Sequence, residues 1–230
     1  MKKTLIALTC CMTASVAQAD TPEAALLKQR TAEFRQDVVR VADNVYTFTG
    51  HSVQPVSMIV GTNGLNVVDT GIDTRSAQGV LTEMRKITPL PVKAVILTHG
   101  HGDHIGGVPV FAAEGSPDIW ARGNLGDEGH AFKSAGLTIT SKRGARQGGF
   151  LLPPDKRINN GIARAYYPKR GGEVFGAKGM VKPTHRLTED RMTINFDGVE
   201  LDLVSLNGET KDSLYVWYPD KRVLFSGDNF

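Results

Sequence analysis

The segment at residues 98–104 reads THGHGDH and contains four potential metal ligands, His99, His101, Asp103 and His104. Imidazole nitrogens and carboxylate oxygens at this density are the ligands that zinc and similar divalent ions prefer. Gly100 and Gly102 allow the chain to double back, so that several of these side chains can converge. The pattern predicts a metal site, and the alternative interpretation is a solvated loop that is rich in histidine.

Strands and a helix around this segment would position the ligands. Residues 91–97 form an almost uninterrupted apolar run just before it, which is typical of a strand buried on both faces. Residues 74–87 carry apolar side chains at helical spacing, and residues 65–68 form a further strand-like run before them. Strand, helix and strand in this order favour a layered α/β sandwich over an all-β domain.

Other apolar runs predict hairpins with turn residues between their strands. The predicted strand pairs are 38–41 with 45–49, 56–60 with 65–68, 192–196 with 199–206, and 213–218 with 222–225. Residues 20–23 have the pattern of a helix start and predict a helix over residues 24–36, and residues 125–135 predict another helix. The glycine-, proline- and arginine-rich stretch at residues 141–182 is typical of a long functional loop.

The first residues have the pattern of an export signal. Lys2 and Lys3 precede an apolar run at residues 5–17, which is shorter than the roughly 20 residues that a bilayer span needs. Residues 17–19, Ala-Gln-Ala, form a small-x-small cleavage site. We therefore expect residues 1–19 to be a signal peptide and the mature protein to be periplasmic or secreted.

Composition narrows the chemistry of the mature chain. Cys10 and Cys11 both lie in the expected signal, so any metal must be held by nitrogen and oxygen ligands. Without Lys2 and Lys3, 25 of the 27 basic residues remain and nearly balance the 24 acidic ones, and the mature chain has no basic run. We therefore expect no nucleic-acid partner, no membrane span, and a single domain with a sizeable core.

Residues 98–104 resemble the H-x-H-x-D-H signature of the metallo-β-lactamase superfamily. The resemblance implies an α/β fold of the αββα sandwich type, in which His99 and His101 bind one metal ion while Asp103 and His104 bind a second. Asp69 matches the family's aspartate at a strand end, which orients the metal loop and is not a ligand. On local grounds alone, Asp69 is equally well explained as a turn cap.

Most members of this superfamily present Gly-His-Thr as the third ligand of the first metal, whereas residues 207–210 of this chain read Asn-Gly-Glu-Thr. Glu209 at this place resembles the secreted alkylsulfatase branch, in which a carboxylate replaces the imidazole. Asp228 follows an apolar strand and matches the acid that bridges the two metals in the family. The plainer interpretation of either acid is a solvated loop residue.

Further similarity to the alkylsulfatase branch lies at residues 143–153, where Arg143 and Arg146 precede the sequence Gly-Phe-Leu-Leu-Pro. Because a guanidinium matches a sulfate oxyanion bidentately, both arginines are candidate substrate-binding residues, and the alternative is ordinary surface charge. Three other histidines are isolated and are by default surface or hydrogen-bonded residues: His51, His130 and His185. Among them His130, in the helix predicted at residues 125–135, is the candidate for substrate contact.

The resemblance implies a binuclear zinc hydrolase that cleaves sulfate esters of alkyl chains. Asp103 and Asp228 are the catalytic candidates, because they would hold the ions at which water is activated. Another hydrolase of the same fold, acting on a β-lactam, thioester or lactone, is the alternative, although those enzymes usually keep histidine in place of Glu209. A metal-binding fragment without turnover is the third possibility.

The resemblance covers residues 38–230, which follow a helical lead-in at residues 20–37. In the alkylsulfatase branch, a further second-site histidine, a dimerisation domain and a lipid-carrier-like domain follow the position of Phe230. We therefore expect the sandwich to be C-terminally incomplete and this chain to be either the N-terminal part of a longer protein or the product of a prematurely stopped reading frame. A homodimer is expected only for the full-length form.

Overall fold

The computed structural model describes residues 21–127, 139, 143, 146–147, 149, 151–153, 156, 158–159 and 182–229. The helices are α1 (Pro22–Arg30), α2 (Thr74–Ile87), α3 (Gly102–Ile105) and α4 (Val108–Ala112), with a 3-10 helix at Thr31–Glu33. The strands are β1 (Asp37–Ala42), β2 (Val45–Thr49), β3 (Val56–Val60), β4 (Leu65–Val68), β5 (Val92–Ile96), β6 (Asp118–Arg122), β7 (His185–Leu187), β8 (Arg191–Phe196), β9 (Val199–Ser205), β10 (Leu214–Tyr218) and β11 (Val223–Phe225). Among the helices described, none has the length and apolar character needed to cross a membrane.

The strands form two sheets. The larger sheet has the order β1-β2-β3-β4-β5-β6-β7, and the smaller sheet has the order β11-β10-β9-β8. Strands β1 to β4 pair antiparallel, whereas β4 to β7 pair in parallel. Parallel strands end at the same edge of a sheet, so the residues that follow β4 and β5 become neighbours. The backbone N–H of Asp69 accordingly donates to the carbonyl oxygen of Ile96 at 2.9 Å.

Apolar side chains cover both faces of the larger sheet. On one face, α2 and α4 pack on the sheet in a core that includes Met58, Val67, Val80, Met84 and Phe111. On the other face, the smaller sheet closes a second core that includes Ile59, Val68, Ile96, Leu201 and Val216. Complete burial of a side chain such as Phe111 contributes about 1.5–3 kcal/mol. The described layers are therefore helices, sheet and sheet, in agreement with the layered α/β sandwich that the sequence predicts.

Helix α2 has sequence signals at both ends. The Asp73 carboxylate accepts a hydrogen bond from the N–H of Ser76 at 2.7 Å, and the Ser76 hydroxyl accepts one from the N–H of Asp73 at 3.3 Å. This reciprocal capping box satisfies two N–H groups that the helix itself leaves unpaired. The helix ends where Thr88 becomes extended, immediately before Pro89, which disfavours helical backbone in the preceding residue.

The Asp197-Gly198 turn connects the two sheets. Both residues have positive φ, 56° and 85°, as the tight hairpin between β8 and β9 requires. The Asp197 carboxylate accepts a hydrogen bond from the Asn63 side-chain amide at 2.9 Å, and its carbonyl oxygen accepts one from the N–H of Thr62 at 3.1 Å. The smaller sheet is thereby attached to the turn between β3 and β4.

The predicted hairpins, the helix at residues 74–87 and the buried strand are confirmed to within one residue at each end. The N-terminal helix differs from the prediction of residues 24–36, since α1 spans Pro22–Arg30 and a 3-10 helix follows. None of the residues of α1 is buried, so no apolar packing stabilises a longer helix. The helix predicted at residues 125–135 lies mostly outside the described residues. Strands β6 and β7 were not predicted.

Candidate metal centre

Four chain segments bring the predicted ligands together. Asp69 follows β4, and the loop that begins at Thr98 follows β5. Glu209 lies in the loop between β9 and β10, and Asp228 follows β11. The N–H of Leu214 donates to the carbonyl oxygen of Thr98 at 2.8 Å, which joins the start of β10 to the loop after β5.

Two glycines allow α3 to lie against the turn after β4. A Cβ atom at Gly106 would be 1.9 Å from the carbonyl oxygen of Ile72, and one at Gly107 would be 2.0 Å from that of Thr70. Only glycine fits at such distances, because both obstacles are backbone atoms. The close approach lets the N–H and the hydroxyl of Thr70 both donate to the carbonyl oxygen of His104, each at 2.8 Å. The end of the metal loop is fixed in this way.

Asp69 is buried beneath the metal loop and orients two of its residues. Its carboxylate accepts hydrogen bonds from the N–H of Thr98 at 2.8 Å and from the Thr98 hydroxyl at 2.8 Å. The same carboxylate lies 2.8 Å from Nδ1 of His104, which donates its proton there. Because Nδ1 is used in this bond, Nε2 of His104 is the atom left to bind a metal. These contacts favour the orienting role over a simple turn cap.

His99 is oriented through Thr98. Its Nδ1 lies 3.1 Å from the Thr98 hydroxyl, which donates to Asp69 and accepts from His99. The Nε2 atoms of His99 and His104 are both buried, and neither has a hydrogen-bond partner in the described part of the chain. A buried polar atom left unpaired costs about 1–3 kcal/mol, and a bound cation would remove that cost. The two histidines therefore fit a metal ion.

The first donor group consists of His99, His101 and Glu209, whose ligand atoms lie within 4.8 Å of one another. Oε2 of Glu209 is 3.2 Å from Nε2 of His99 and 3.2 Å from Nδ1 of His101. Despite this distance, Nε2 of His99 forms no hydrogen bond to the carboxylate, because the two atoms are not aligned for one. Atoms that are close but not aligned with each other suit joint coordination of an ion. The side chains of His101 and Glu209 are 47% and 42% exposed, so this group is open to solvent.

The second donor group consists of His99, His104 and Asp228, also within 4.8 Å of one another. Nε2 of His104 is 3.4 Å from Oδ1 of Asp228, and the rings of His99 and His104 have centroids 4.0 Å apart. The predicted second set was Asp103, His104 and Asp228, of which the structure brings the last two together. Asp103 belongs to neither donor group, and its Oδ2 is 3.3 Å from Nε2 of Gln54.

The surroundings shift the pKa values of the two buried histidines in opposite directions. Burial lowers the pKa of His99, and the adjacent charge of His104 lowers it further. Burial also acts to lower the pKa of His104, but the hydrogen bond and charge of Asp69, with the charges of Asp103 and Asp228, outweigh it and raise this pKa to about 9. In the metal-free protein at neutral pH, His104 is therefore protonated, and a cation that binds it displaces a proton.

Asp212, which belongs to no motif in the sequence, holds the loop that carries Glu209. Its carboxylate accepts a hydrogen bond from the N–H of Gly126 at 2.6 Å and another from the Thr210 hydroxyl. A Cβ atom at Gly100 would lie 2.5 Å from Oδ2 of Asp212, so the glycine leaves room for this carboxylate beside the metal loop. Asp212 thus connects the loop that carries Glu209 to the loop after β6, and it lies beside Gly100 of the metal loop.

Among the described residues, no hydrogen bond or ion pair brings the predicted substrate-binding residues to the donor groups. Arg143 and Arg146 are both solvent-exposed, and His130 lies outside the described residues. His185 stacks on Trp120 with ring centroids 4.5 Å apart and belongs to neither donor group. The roles of both arginines and of His130 in substrate binding stay predictions.

The sequence matches the metallo-beta-lactamase superfamily over residues 50–230. A linear primary-alkylsulfatase of Pseudomonas sp. is 32% identical over 178 residues, which is 74% of this chain and 32% of that protein. An alkyl/aryl-sulfatase of Saccharomyces cerevisiae is 27% identical over 215 residues, which is 90% of this chain and 32% of that protein. The chain therefore spans about a third of the length of these curated relatives.

The fold is similar to that of a solved stereoselective inverting sec-alkylsulfatase from Pseudomonas sp., with a TM-score of 0.63 and 22% identity. The similarity covers 86% of this chain and 32% of that chain, and it agrees with the predicted sandwich. The superfamily match includes β3 to β11 and every residue of the two donor groups. The chain therefore belongs to the metallo-beta-lactamase superfamily, and its similarity to these sulfatases supports the alkylsulfatase branch that Glu209 indicates.

Proposed function

We propose that the protein containing this chain is a binuclear zinc hydrolase that cleaves sulfate esters of alkyl chains. The observation that carries the proposal is the position of Glu209, 3.2 Å from ligand nitrogens of both His99 and His101, where most of the superfamily presents histidine. The names of the two curated relatives, an alkylsulfatase and an alkyl/aryl-sulfatase, support the same class. Zinc is proposed because it suits a set of imidazoles and carboxylates.

Each donor group would hold one ion. His99, His101 and Glu209 would bind the first. His104 and Asp228 would bind the second, with Asp103 as the further ligand that the family resemblance implies. When bound, the two ions would lower the pKa of a water molecule and neutralise negative charge on the reacting ester.

The charge of the centre favours an anionic substrate. Its three carboxylates, Glu209, Asp103 and Asp228, do not fully neutralise two divalent cations when the histidines are neutral. At the exposed side of the centre the ions would attract a sulfate monoester and stabilise the charge on its oxygens, because the fourth carboxylate, Asp69, lies beneath His104 on the buried side. The open side at His101 and Glu209 gives such a substrate a route of approach.

The chain's own residues supply orientation and proton transfer. Asp69 and Thr98 hold His104 and His99 with their Nε2 atoms directed inward. Asp103, which belongs to neither donor group, is proposed to accept a proton from the attacking water, with Asp228 as the second candidate. Hydrolysis then consumes one water and releases an alcohol and inorganic sulfate.

The test is a substrate panel on the full-length protein, freed of metal and reloaded with two equivalents of Zn²⁺. Sulfate release from dodecyl sulfate is measured beside hydrolysis of a chromogenic cephalosporin, a thioester and a lactone. We expect sulfate release that chelation stops, and little turnover of the other substrates. His99→Ala should abolish sulfate release because His99 belongs to both donor groups. His185→Ala, which removes a histidine that belongs to neither donor group, is the control and should remain active.

Two outcomes would contradict the proposal. Rapid hydrolysis of the cephalosporin, thioester or lactone without sulfate release would assign the protein to another hydrolase class of the same fold. Uptake of zinc without turnover of any substrate would favour a metal-binding protein instead of an enzyme.

A further inference from the structure

Gln54 lies in the loop between β2 and β3 and contacts both carboxylates on one side of the metal centre. Its side-chain nitrogen is 3.3 Å from Oδ2 of Asp103 and 3.3 Å from Oδ2 of Asp228. We propose that Gln54 is a positioning residue for the second metal ion, holding one oxygen of each carboxylate so that the other oxygens are presented to the ion. The inference rests on the binuclear centre proposed above.

The geometry at Asp228 supports this role directly. One carboxylate oxygen, Oδ2, accepts from Gln54, while the other, Oδ1, lies 3.4 Å from Nε2 of His104. A hydrogen bond to one oxygen fixes the rotation of the carboxylate and therefore the direction of the second oxygen. Hydrogen-bond partners that hold a metal ligand in this way typically change metal affinity by about 10–100-fold when they are removed.

The amide group suits the position between two acids. Asp103 and Asp228 carry like charges that repel each other in a partly buried site. A primary amide nitrogen carries two hydrogens and no charge, so it can donate one hydrogen to each carboxylate without neutralising either. The amide thereby holds the two acids close to each other without donating a proton to either.

The loop itself is held close to the metal centre. The Ser52 hydroxyl is buried and accepts a hydrogen bond from the N–H of Ile72 at 2.9 Å, in the turn that follows Asp69. Pro55 restricts Gln54 to extended backbone. Gln54 also lines a cavity of about 190 Å³ together with Asp69 and other residues of the centre. Its side chain is therefore directed by the fold and is not a mobile surface group.

Metal titrations of Gln54→Met test the inference, because methionine keeps the length of the side chain and removes both hydrogens. Metal-free full-length protein is titrated with Zn²⁺ against a chromophoric chelator, and bound zinc is counted by elemental analysis. We expect the first equivalent to bind as in the wild type and the second to bind about 10–100-fold more weakly. Gln54→Ala, which adds no thioether to the site, should give the same loss.

Gln78→Met is the matched control, since Gln78 is an exposed glutamine on α2. It should bind both equivalents as the wild type does, and far-UV circular dichroism should show the same fold in all variants. If the wild type binds two equivalents and Gln54→Met binds both equally tightly, the inference is wrong while the binuclear proposal stands. If the wild type binds fewer than two equivalents, both are wrong.

Discussion

The metal centre has a buried half and an open half, which are held in different ways. The buried half consists of His99, His104, Thr98 and Asp69, and the open half consists of His101 and Glu209. In the buried half, each histidine donates through Nδ1 to an oxygen beneath it, and the side chain of His104 is only 2% exposed. In the open half, the side chains are almost half exposed, and the Glu209 carboxylate lies 3.2 Å from one nitrogen each of His99 and His101.

The two halves therefore differ in what orders their ligand side chains. Hydrogen bonds and burial arrange the buried half before any metal binds, so its ligand atoms are already directed inward. Within the described part of the chain, the side chains of the open half have no comparable support, so an ion would supply the interaction that orders them. Substitutions in the buried half should therefore change the stability of the metal-free protein, whereas substitutions in the open half should change metal binding alone.

Asp69→Asn is the strongest test of the buried half. The amide would direct N–H toward Nδ1 of His104, so the histidine proton must move to Nε2, the atom that binds metal. Asparagine tolerates positive φ as readily as aspartate, so the φ of 57° at this residue adds no strain. We expect a loss of about 3–5 kcal/mol in the free energy of unfolding, as for a broken buried ion pair, together with loss of the second metal equivalent.

Denaturant unfolding of the metal-free protein measures this loss. Asp43→Asn is the matched control, because Asp43 lies on the surface beside Arg40 and should change stability by less than about 0.5 kcal/mol. Equal stability of Asp69→Asn and the wild type would show that the buried half is not organised before metal binds.

The pH dependence of stability is the second test. The folded protein raises the pKa of His104 to about 9, above the value of about 6.5 for an unfolded histidine. The stabilisation by protonated His104 is therefore complete below about pH 6.5 and is lost as the pH rises through about 9. We expect the free energy of unfolding of the metal-free protein to fall by about 3 kcal/mol over this range.

The lowered pKa of His99 does not change the free energy of unfolding between about pH 6.5 and 9. It acts in the opposite sense, destabilising the fold only below about pH 6.5, where unfolded histidine becomes protonated. The profile is measured by denaturant unfolding at constant ionic strength. Asp69→Asn should flatten it, and a flat profile in the wild type itself would contradict the prediction.

The metal loop was the part of the site that the sequence predicts best. His99, His101 and His104 lie within one short loop that directly follows a recognisable buried strand, so spacing alone brings them together. Asp69 was predicted only from its resemblance to the family's aspartate at a strand end, and the structure places it beside that loop because β4 runs parallel to β5. Local patterns likewise predicted α2 and the hairpins, whose capping and turn residues lie next to one another in the chain.

Contacts between distant segments could not be predicted in this way. Gln54 and Asp228 are 174 positions apart in the sequence, and Asp212 and Gly126 are 86 apart. No local sequence pattern around Gln54 or Asp212 indicates these partners. Strand β7 has only three residues and depends on β6, which lies more than sixty positions earlier. Such short elements form because the edge of a sheet is already present, a condition that a sequence pattern does not contain.

The smallest effect on stability is expected for Glu209→Ala, in the open half. The Glu209 side chain is 42% exposed and buries little surface, so the metal-free variant should unfold within about 0.5 kcal/mol of the wild type. Loss of its carboxylate leaves His99 and His101 as the only members of the first donor group, and the affinity for the first zinc equivalent should fall at least about tenfold. Chelator competition measures the affinity, and Glu200→Ala, at an exposed position on β9, is the control.

Unchanged zinc affinity would remove Glu209 from the site and with it the main support for a sulfatase. If Glu209→Ala instead destabilises the metal-free protein as much as Asp69→Asn does, the open half is organised without metal. The contacts that Asp212 makes in the Glu209 loop would then also hold the Glu209 carboxylate in place.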